Sequence, residues 1–368
     1  MRTLCRREAL LEACQLTSVA IPAKEVKPIL RNLKAIAGDG RCTLVATDLE
    51  VGIRLDVQGL TIQEPGEAIL PAAKLIQILR EARDDELDIE ADPSTCMVRG
   101  TTSPLEFEMP SEDPANFPDV PAFTADQYHE LTAGQLRDMI RRTIFAAAVE
   151  NPRYAVTGVL WELEDNQARL IATDGRRLAV DQGTATPFGG HDTKGQTPVV
   201  PTKAMGLLER NLSDAEEIVR VSFRPNEVLF KTERAMVYSR LVEGRYPAYR
   251  EVFPKKATSK VPLSVGPFYS AVRQAAIMTD DESKKVTFSF TKGKLTLQAS
   301  GAETGRSKVE LPLEYEGRAV DIRFDPKYLT DMLRVLDEDA ALTLELVDGT
   351  SPALFRTGNY SYIVMPLT

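Results

Sequence analysis

Hydrophobic positions along the chain follow two periods, and the two alternate. Leu75, Ile78 and Leu79, and again Leu329, Met332 and Leu333, recur at i, i+3, i+4, while Met205 and Leu208 keep the i, i+3 pair. That spacing puts them on one face of an α-helix. Each stretch opens on a proline (Pro71, Pro201, Pro326), which a first helical turn tolerates because its N–H has no intrahelical partner. Elsewhere the period is two. Val221 with Phe223, Val228 with Phe230, and Val286, Phe288 and Phe290 against Thr287 and Ser289 predict antiparallel strands with one buried face.

Four markers return in one order. The hairpins "RCTLVATDLEVGIRLDV" (41–57), "QARLIATDGRRLAVDQG" (167–183) and "GKLTLQASGAETGRSKVEL" (293–311) each run strand, small-residue turn, strand, with Thr47, Thr173 and Ser300 spaced by 126 and 127 residues. The prolines of the helices "AILPAAKLIQILREA" (68–82), "PVVPTKAMGLLERNL" (198–212) and "IRFDPKYLTDMLRVL" (322–336) are spaced by 130 and 125. Opening helices ("REALLEACQLTSVAIP", "AGQLRDMIRRTIFAAAV", "VGPFYSAVRQAAIMT") and closing segments ("PLEFEMP", "MVYSRLVEGRYPAYREVFP", "YSYIVMPLT") complete each unit. Chance similarity does not hold register across four elements, so the chain reads as three homologous domains, 1–125, 126–256 and 257–368. Each is α+β, with two helices laid on one side of a sheet of short antiparallel strands. Asp174–Gly175 predicts a type I′ hairpin turn, for which glycine supplies the positive φ.

Composition adds little until charge is mapped. The chain has 368 residues, 43% hydrophobic and 27% charged, without cofactor-binding or metal-ligand spacings. No run of about 18 apolar residues escapes a charge, so no membrane partner is expected. Glu8 and Glu12 interrupt any apolar leader. Cys5, Cys14, Cys42 and Cys96 lie far apart without a C-x-x-C pair, which points to a reduced, cytoplasmic protein.

A net charge of −9 by itself argues against a nucleic-acid binder. Its distribution says otherwise. Helix 71–83 carries Lys74, Arg80 and Arg83 against Glu81, and helix 133–146 carries Arg137, Arg141 and Arg142 against Asp138, a surplus of +2 in each. Helices 201–211 (Lys203, Arg210), 265–279 (Arg273) and 326–336 (Lys327, Arg334) carry +1 each, and helix 5–15 is neutral. The six helices therefore hold +7 and the rest of the chain −16. One charged helix face is ordinarily a solvated face. The same sign on five equivalent helices describes a positive patch in a negative body, suited to phosphates without base readout.

The segment "LIATDGRRLAV" (170–180) looks like an active site, with Asp174 beside Arg176 and Arg177. Asp48 repeats Asp174 in the first unit, but Gly301 stands there in the third. His129 and His191, the two histidines of the chain, read as loop residues. There is no P-loop, no G-x-G-x-x-G after a strand, no H-E-x-x-H and no G-x-S-x-G. Asp48 and Asp174 then read as turn residues capping nearby N–H groups. Beside that reading stand two others: an enzyme working through Asp174 and its arginines, and a repeat scaffold binding proteins alone, for which cationic helices have no use.

In combination, "ATDG-x-RLA", "GR-[FY]-P-x-Y" (Gly244–Tyr249) with a following "FP", the terminal "VMP" and the three-unit layout resemble the β-subunit family of bacterial DNA polymerase III, the DNA sliding clamps. The resemblance spans the whole chain. It implies a processivity factor without a catalytic site or cofactor, a head-to-tail homodimer whose six domains close a ring around double-stranded DNA. Helices line the hole and sheets form the outer wall. The implied partners are duplex DNA, the α subunit of the replicative polymerase, the clamp loader, and other replication and repair proteins. Their short peptides dock between the second and third domains. Position by position, the cleft wall is Val156, Thr173, Gly175, Arg176, Arg177, Leu178, Pro247, Val252, Tyr328, Ile363, Met365, Pro366 and Leu367. Lys24 joins the helix cations Lys74, Arg80, Arg137, Arg141, Lys203, Arg210, Arg273 and Arg334 as the DNA-facing set, and Ile277 with Met278 is assigned to the dimer interface. The family commonly ends in an arginine after Met-Pro-x. This chain ends Leu367–Thr368 and lacks that basic contact.

Overall fold

The computed structural model describes residues 1–23, 27–151, 153–279, 284–301 and 304–367. Among these residues are six α-helices, at the three period-3.6 segments and the three recurring opening segments: α1 (Arg7–Ser18), α2 (Ala72–Glu81), α3 (Ala133–Ile144), α4 (Thr202–Arg210), α5 (Val265–Ala276) and α6 (Pro326–Leu333). α2 buries Ala72, Leu75, Ile78 and Leu79 and leaves Lys74 and Arg80 outside. α6 buries Leu329, Met332 and Leu333, and begins on Asp325, whose carboxylate accepts the N–H of Lys327 at 2.9 Å. Pro326 is the first residue of its helix, whereas Pro71 and Pro201 stand one position earlier, as N-caps.

Three strands escape the periodicity. Arg2–Arg6, Tyr128–Thr132 and Ser259–Ser264 lead directly into α1, α3 and α5. The first turns only Thr3 and Cys5 inward, too short an alternation to read against the adjoining helix. α1 therefore starts at Arg7, two residues later than the sequence pattern suggests.

Contacts divide the chain into two compact units that cut across the three repeats. The first comprises Met1–Arg137, Ala185–Asp192 and Val200–Leu241. In its nine-stranded sheet, Val51–Asp56 pairs antiparallel with Ala235–Arg240, with Leu55 opposite Ala235 and Gly52 opposite Tyr238. The strand after the first repeat's turn thus joins the last strand of the second repeat. A five-stranded sheet in the same unit ends on Glu106–Pro110, the last strand of the first repeat, which has one neighbour only. α1 packs against α2.

The second unit comprises Asp138–Thr184, Thr193–Val199 and Val242–Thr368. Its eight-stranded sheet obeys the same joining rule. Arg177–Thr184, after the second repeat's turn, pairs with Tyr360–Val364, the last strand of the third, with Leu178 opposite Ile363. In its four-stranded sheet the corresponding strand of the third repeat, Gly305–Pro312, lies at an edge. α5 packs against α6, and Phe268, Phe288, Phe324 and Phe355 are fully buried. Each such side chain contributes about 1.5–3 kcal/mol of transfer free energy.

The four cysteines are free and buried, and all lie in the first unit. Burial pushes the thiols of Cys42 and Cys96 up to about 12. Thiols held protonated in this way are poor nucleophiles.

Candidate functional site

The repeated Thr-Asp turn is built from side-chain hydrogen bonds. Thr173 Oγ1 donates to the carbonyl of Arg177 at 2.6 Å and accepts the N–H of Gly175 at 3.1 Å. Asp174 Oδ1 accepts the N–H groups of Arg176 (2.9 Å) and Arg177 (3.1 Å). The first repeat has the same four bonds: Thr47 with Val51 and Leu49, and Asp48 with Glu50 and Val51. Both aspartates are therefore turn-formers. The expected type I′ geometry is absent, because Gly175 has φ +90° but Asp174 does not lie at positive φ. Carboxylate acceptance of two consecutive N–H groups shapes an Asx turn instead. In the first repeat, Leu49 occupies the glycine position at φ +81°.

Beside the second turn lies a cleft of roughly 740 Å³, formed wholly within the second unit. Of the residues assigned to a cleft wall, it brings together Thr173, Gly175, Arg176, Arg177, Leu178, Pro247, Val252, Ile363 and Met365. Leu178 and Ile363 also belong to the core, 3% and 1% exposed, so the floor is the outer surface of a packed cluster. Met365 is 39% exposed, and its N–H is held by the carbonyl of Arg176 at 2.8 Å.

Four assigned residues do not line the cavity. Val156 sits inside the cluster beneath it, because the closing segment 246–253 covers it. Tyr328 lies under the guanidinium of Arg177, 4.8 Å from ring centroid to Cζ. Pro366 and Leu367 follow the chain away from the cavity, where the N–H of Leu367 donates to the carbonyl of Arg323. Conversely, the cavity is lined by residues with no motif to announce them, including Lys255, Lys256, Val347 and Pro352.

The "GRYPAY" motif acquires a mechanical reason here. Gly244 has φ +125°, a region that β-carbons disfavour. Tyr246 then donates from its hydroxyl to the carbonyl of Ile171, and Tyr249 donates to Glu162 at 3.0 Å. These bonds fasten the cleft's second wall to the sheet.

The two arginines at the turn have different lives. Arg177 is 8% exposed, and each nitrogen of its fork is engaged: Nε to Asp174 (3.0 Å), one terminal nitrogen to Asp331 on α6 (2.8 Å), the other to the carbonyl of Phe145 (2.8 Å). Burial opposes its charge, but the hydrogen bond to Asp331 and the field of nearby groups outweigh it and raise its pKa. Arg177 is thus a structural tie, and only Arg176 projects into solvent.

Other expectations need correction. His129 lies in the strand Tyr128–Thr132, fully buried, and its Nδ1 meets Nδ1 of the buried His191 at 2.7 Å. His191 Nε2 accepts the N–H of Phe223 at 3.0 Å. His129 is thus a strand residue and His191 a loop residue that is buried, and no group of three or more potential metal ligands forms among the described residues. Lys203, expected to face DNA, has its ammonium on Asp48 (2.6 Å) and on the carbonyls of Ala20 and Ile21. Arg137 is half-buried and donates to the carbonyl of Leu212. Lys74, Arg80, Arg141, Arg210, Arg273 and Arg334 are exposed, and Lys24 lies outside the described residues. Ile277 is 70% exposed, with Met278 half-buried beside it.

Repeated α+β domains, cationic helices and an apolar cleft describe the architecture of a binding protein. Family models for the N-terminal, central and C-terminal domains of the DNA polymerase III beta subunit match residues 1–121, 130–248 and 250–368. The beta sliding clamp of Pseudomonas putida is 32% identical over 372 residues, covering all of both chains, and that of Escherichia coli K12 is 27% identical over 376, again covering both fully. The Pseudomonas aeruginosa sliding clamp bound to griselimycin superimposes with a TM-score of 0.91 at 28% identity, over 100% of this chain and 99% of that one. The chain belongs to the DNA polymerase III β-subunit family, and it is a DNA sliding clamp, a processivity factor of replication without catalytic activity of its own.

Proposed function

We propose that this clamp closes as a head-to-tail dimeric ring around duplex DNA through two of its edge strands, those that the pairing between repeats leaves without a counterpart. The joining rule carries the reading. The strand after the turn of repeat one pairs with the last strand of repeat two, and that of repeat two with the last strand of repeat three. Continuing the rule, Gly305–Pro312 of one copy pairs with Glu106–Pro110 of the next, removing two open edges that would otherwise invite aggregation. A heterologous contact of this kind yields a ring when its rotation closes. Ile277 and Met278, at the end of α5, then lie in the interface, which agrees with the unusual exposure of Ile277.

The exposed helix cations Lys74, Arg80, Arg141, Arg210, Arg273 and Arg334 face the phosphates, and Lys24 is assigned to the same DNA-facing set. Lys203 and Arg137 serve chiefly to fix their own helices. Topological retention lets each phosphate contact stay weak enough for sliding. The cleft takes short peptides of the polymerase α subunit, the clamp loader and repair proteins, in the cytoplasm, and the three domains run 1–125, 126–256 and 257–368.

Sedimentation at micromolar concentration should give twice the 40.7 kDa subunit mass, and Ile277→Asp should give the monomer. A clamp loaded onto nicked circular DNA by a clamp loader should be retained until the circle is cut. The Arg80→Glu, Arg141→Glu, Arg210→Glu variant should load less with its dimer intact. A stable wild-type monomer, or equal retention on cut and uncut circles, would overturn the ring.

A further inference from the structure

Resting on the reading of the cleft as a peptide site, we infer that it selects peptides whose apolar anchors are flanked by carboxylates, through Arg176, Lys255 and Lys256 at its rim. The floor is aliphatic and aromatic: Leu178, Ile363, Met365, Val252 and Phe253. It accepts any apolar side chain of suitable size and so confers little discrimination. Discrimination must come from the rim.

The rim is charged, and its charge is one-sided. Arg176, Lys255 and Lys256 are exposed there against one exposed carboxylate, Glu251. Among the described residues none of the three cations makes an ion pair. Nearby cations of the same unit do have carboxylate partners: Arg250 and Arg169 share Glu162, Lys260 meets Glu345, and Lys327 meets Asp331. In a chain of net charge −9, three unpaired cations around an apolar cavity are a local reversal of sign. Their partner is missing from the chain itself. An incoming peptide with one or two Asp or Glu residues beside its anchors supplies it, and a peptide basic at those positions is repelled. Lysine and arginine on flexible stems accept carboxylates at several positions, so a preference for acidic flanks is expected and not a fixed motif.

The test uses the full-length protein and three fluorescent ten-residue peptides with identical Leu and Phe anchors, flanked by Asp-Asp, Ser-Ser or Lys-Lys, read by anisotropy. The Asp-flanked peptide should bind about three- to tenfold tighter than the Ser-flanked one, the range expected for two or three exposed ion pairs. The Lys-flanked peptide should bind more weakly than either. The differences should shrink between about 50 and 500 mM NaCl, where screening of exposed charges becomes nearly complete. Lys255→Glu with Lys256→Glu, both on the surface, should abolish or invert the order of the three peptides. Equal binding of the three peptides, or an order that survives the double substitution, overturns the inference while leaving peptide docking intact. Failure of every peptide to bind, with Met365→Asp indistinguishable from the unchanged protein, removes the cleft reading as well.

Discussion

Replacing Arg177 by Met should loosen the second unit at the seam between two repeats. The guanidinium holds Asp174 at the turn, Asp331 on α6 and the carbonyl of Phe145 after α3, each within about 3 Å, while 8% exposed. Methionine keeps part of the stem's volume, so the loss is chiefly electrostatic. Removing one partner of a buried ion pair costs about 3–5 kcal/mol when the other charge is stranded. Here the strandedness is partial. Asp331 retains Lys327 at 2.7 Å, and Asp174 retains two backbone N–H groups. The low end applies, about 3 kcal/mol, or roughly 6–12 °C in melting temperature for a unit of this size.

Calorimetry should show the earliest transition moving down by that amount. A double-mutant cycle with Asp331→Asn should return a coupling of about 1–3 kcal/mol, because the two substitutions remove the same contact. There is also an acid signature. Burial raises the Asp331 pKa, but hydrogen bonds from Lys327 and Arg177 outweigh it and hold it below the ordinary carboxylate range. Its contribution is therefore complete above that range and fades as pH falls through the depressed folded-state value. Arg177→Met should shrink that acid-dependent component. A loss under about 1 kcal/mol, or strict additivity with Asp331→Asn, would refute the assignment of Arg177 as a structural tie.

Burial, then repulsion from His129, depress His191 from 6.5 to about 4. The unfolded chain takes up a proton near 6.5 that the native state refuses until about 4, so stability is full above pH 6.5 and declines towards pH 4. At about 1.4 kcal/mol per pH unit the loss approaches 3 kcal/mol, and His191→Gln should flatten the urea-midpoint profile over that window; an unchanged profile would contradict it. Leu49→Gly relieves a left-handed backbone at a side chain 39% exposed, and should raise the urea midpoint by the equivalent of about 1 kcal/mol. Gly175→Leu, at the equivalent turn, should lower it by a similar amount, and shifts of the same sign for the two substitutions would refute the equivalence of the turns.

Much of the candidate site was legible before the structure. The hairpin, Pro247 and the terminal Met365 converge on one cavity, because motif residues at both walls touch the same packed floor. Lys255, Lys256, Val347 and Pro352 escaped, since rim positions carry no periodicity and no motif. Lys203 shows a related limit. A lysine on a cationic helix looks alike in sequence whether it faces solvent or, as here, reaches Asp48 across 155 positions of chain.

Local rules account for the six helices, the three repeats and the sign of charge on each helix, because a period of 3.6 or 2 and a recurring spacing are properties of neighbouring residues. Which strand joins which is a different kind of fact. Val51–Asp56 reaches Ala235–Arg240, and Arg177–Thr184 reaches Tyr360–Val364, so the compact units divide the chain between repeats and not at their boundaries. Such pairings depend on edges meeting across nearly two hundred residues, where no local pattern bears on them. Arg176 and Arg177 show the same limit on the smallest scale. They are neighbours of one chemistry, and only the packing of α6 and Phe145 around the second makes one a rim charge and the other a buried tie.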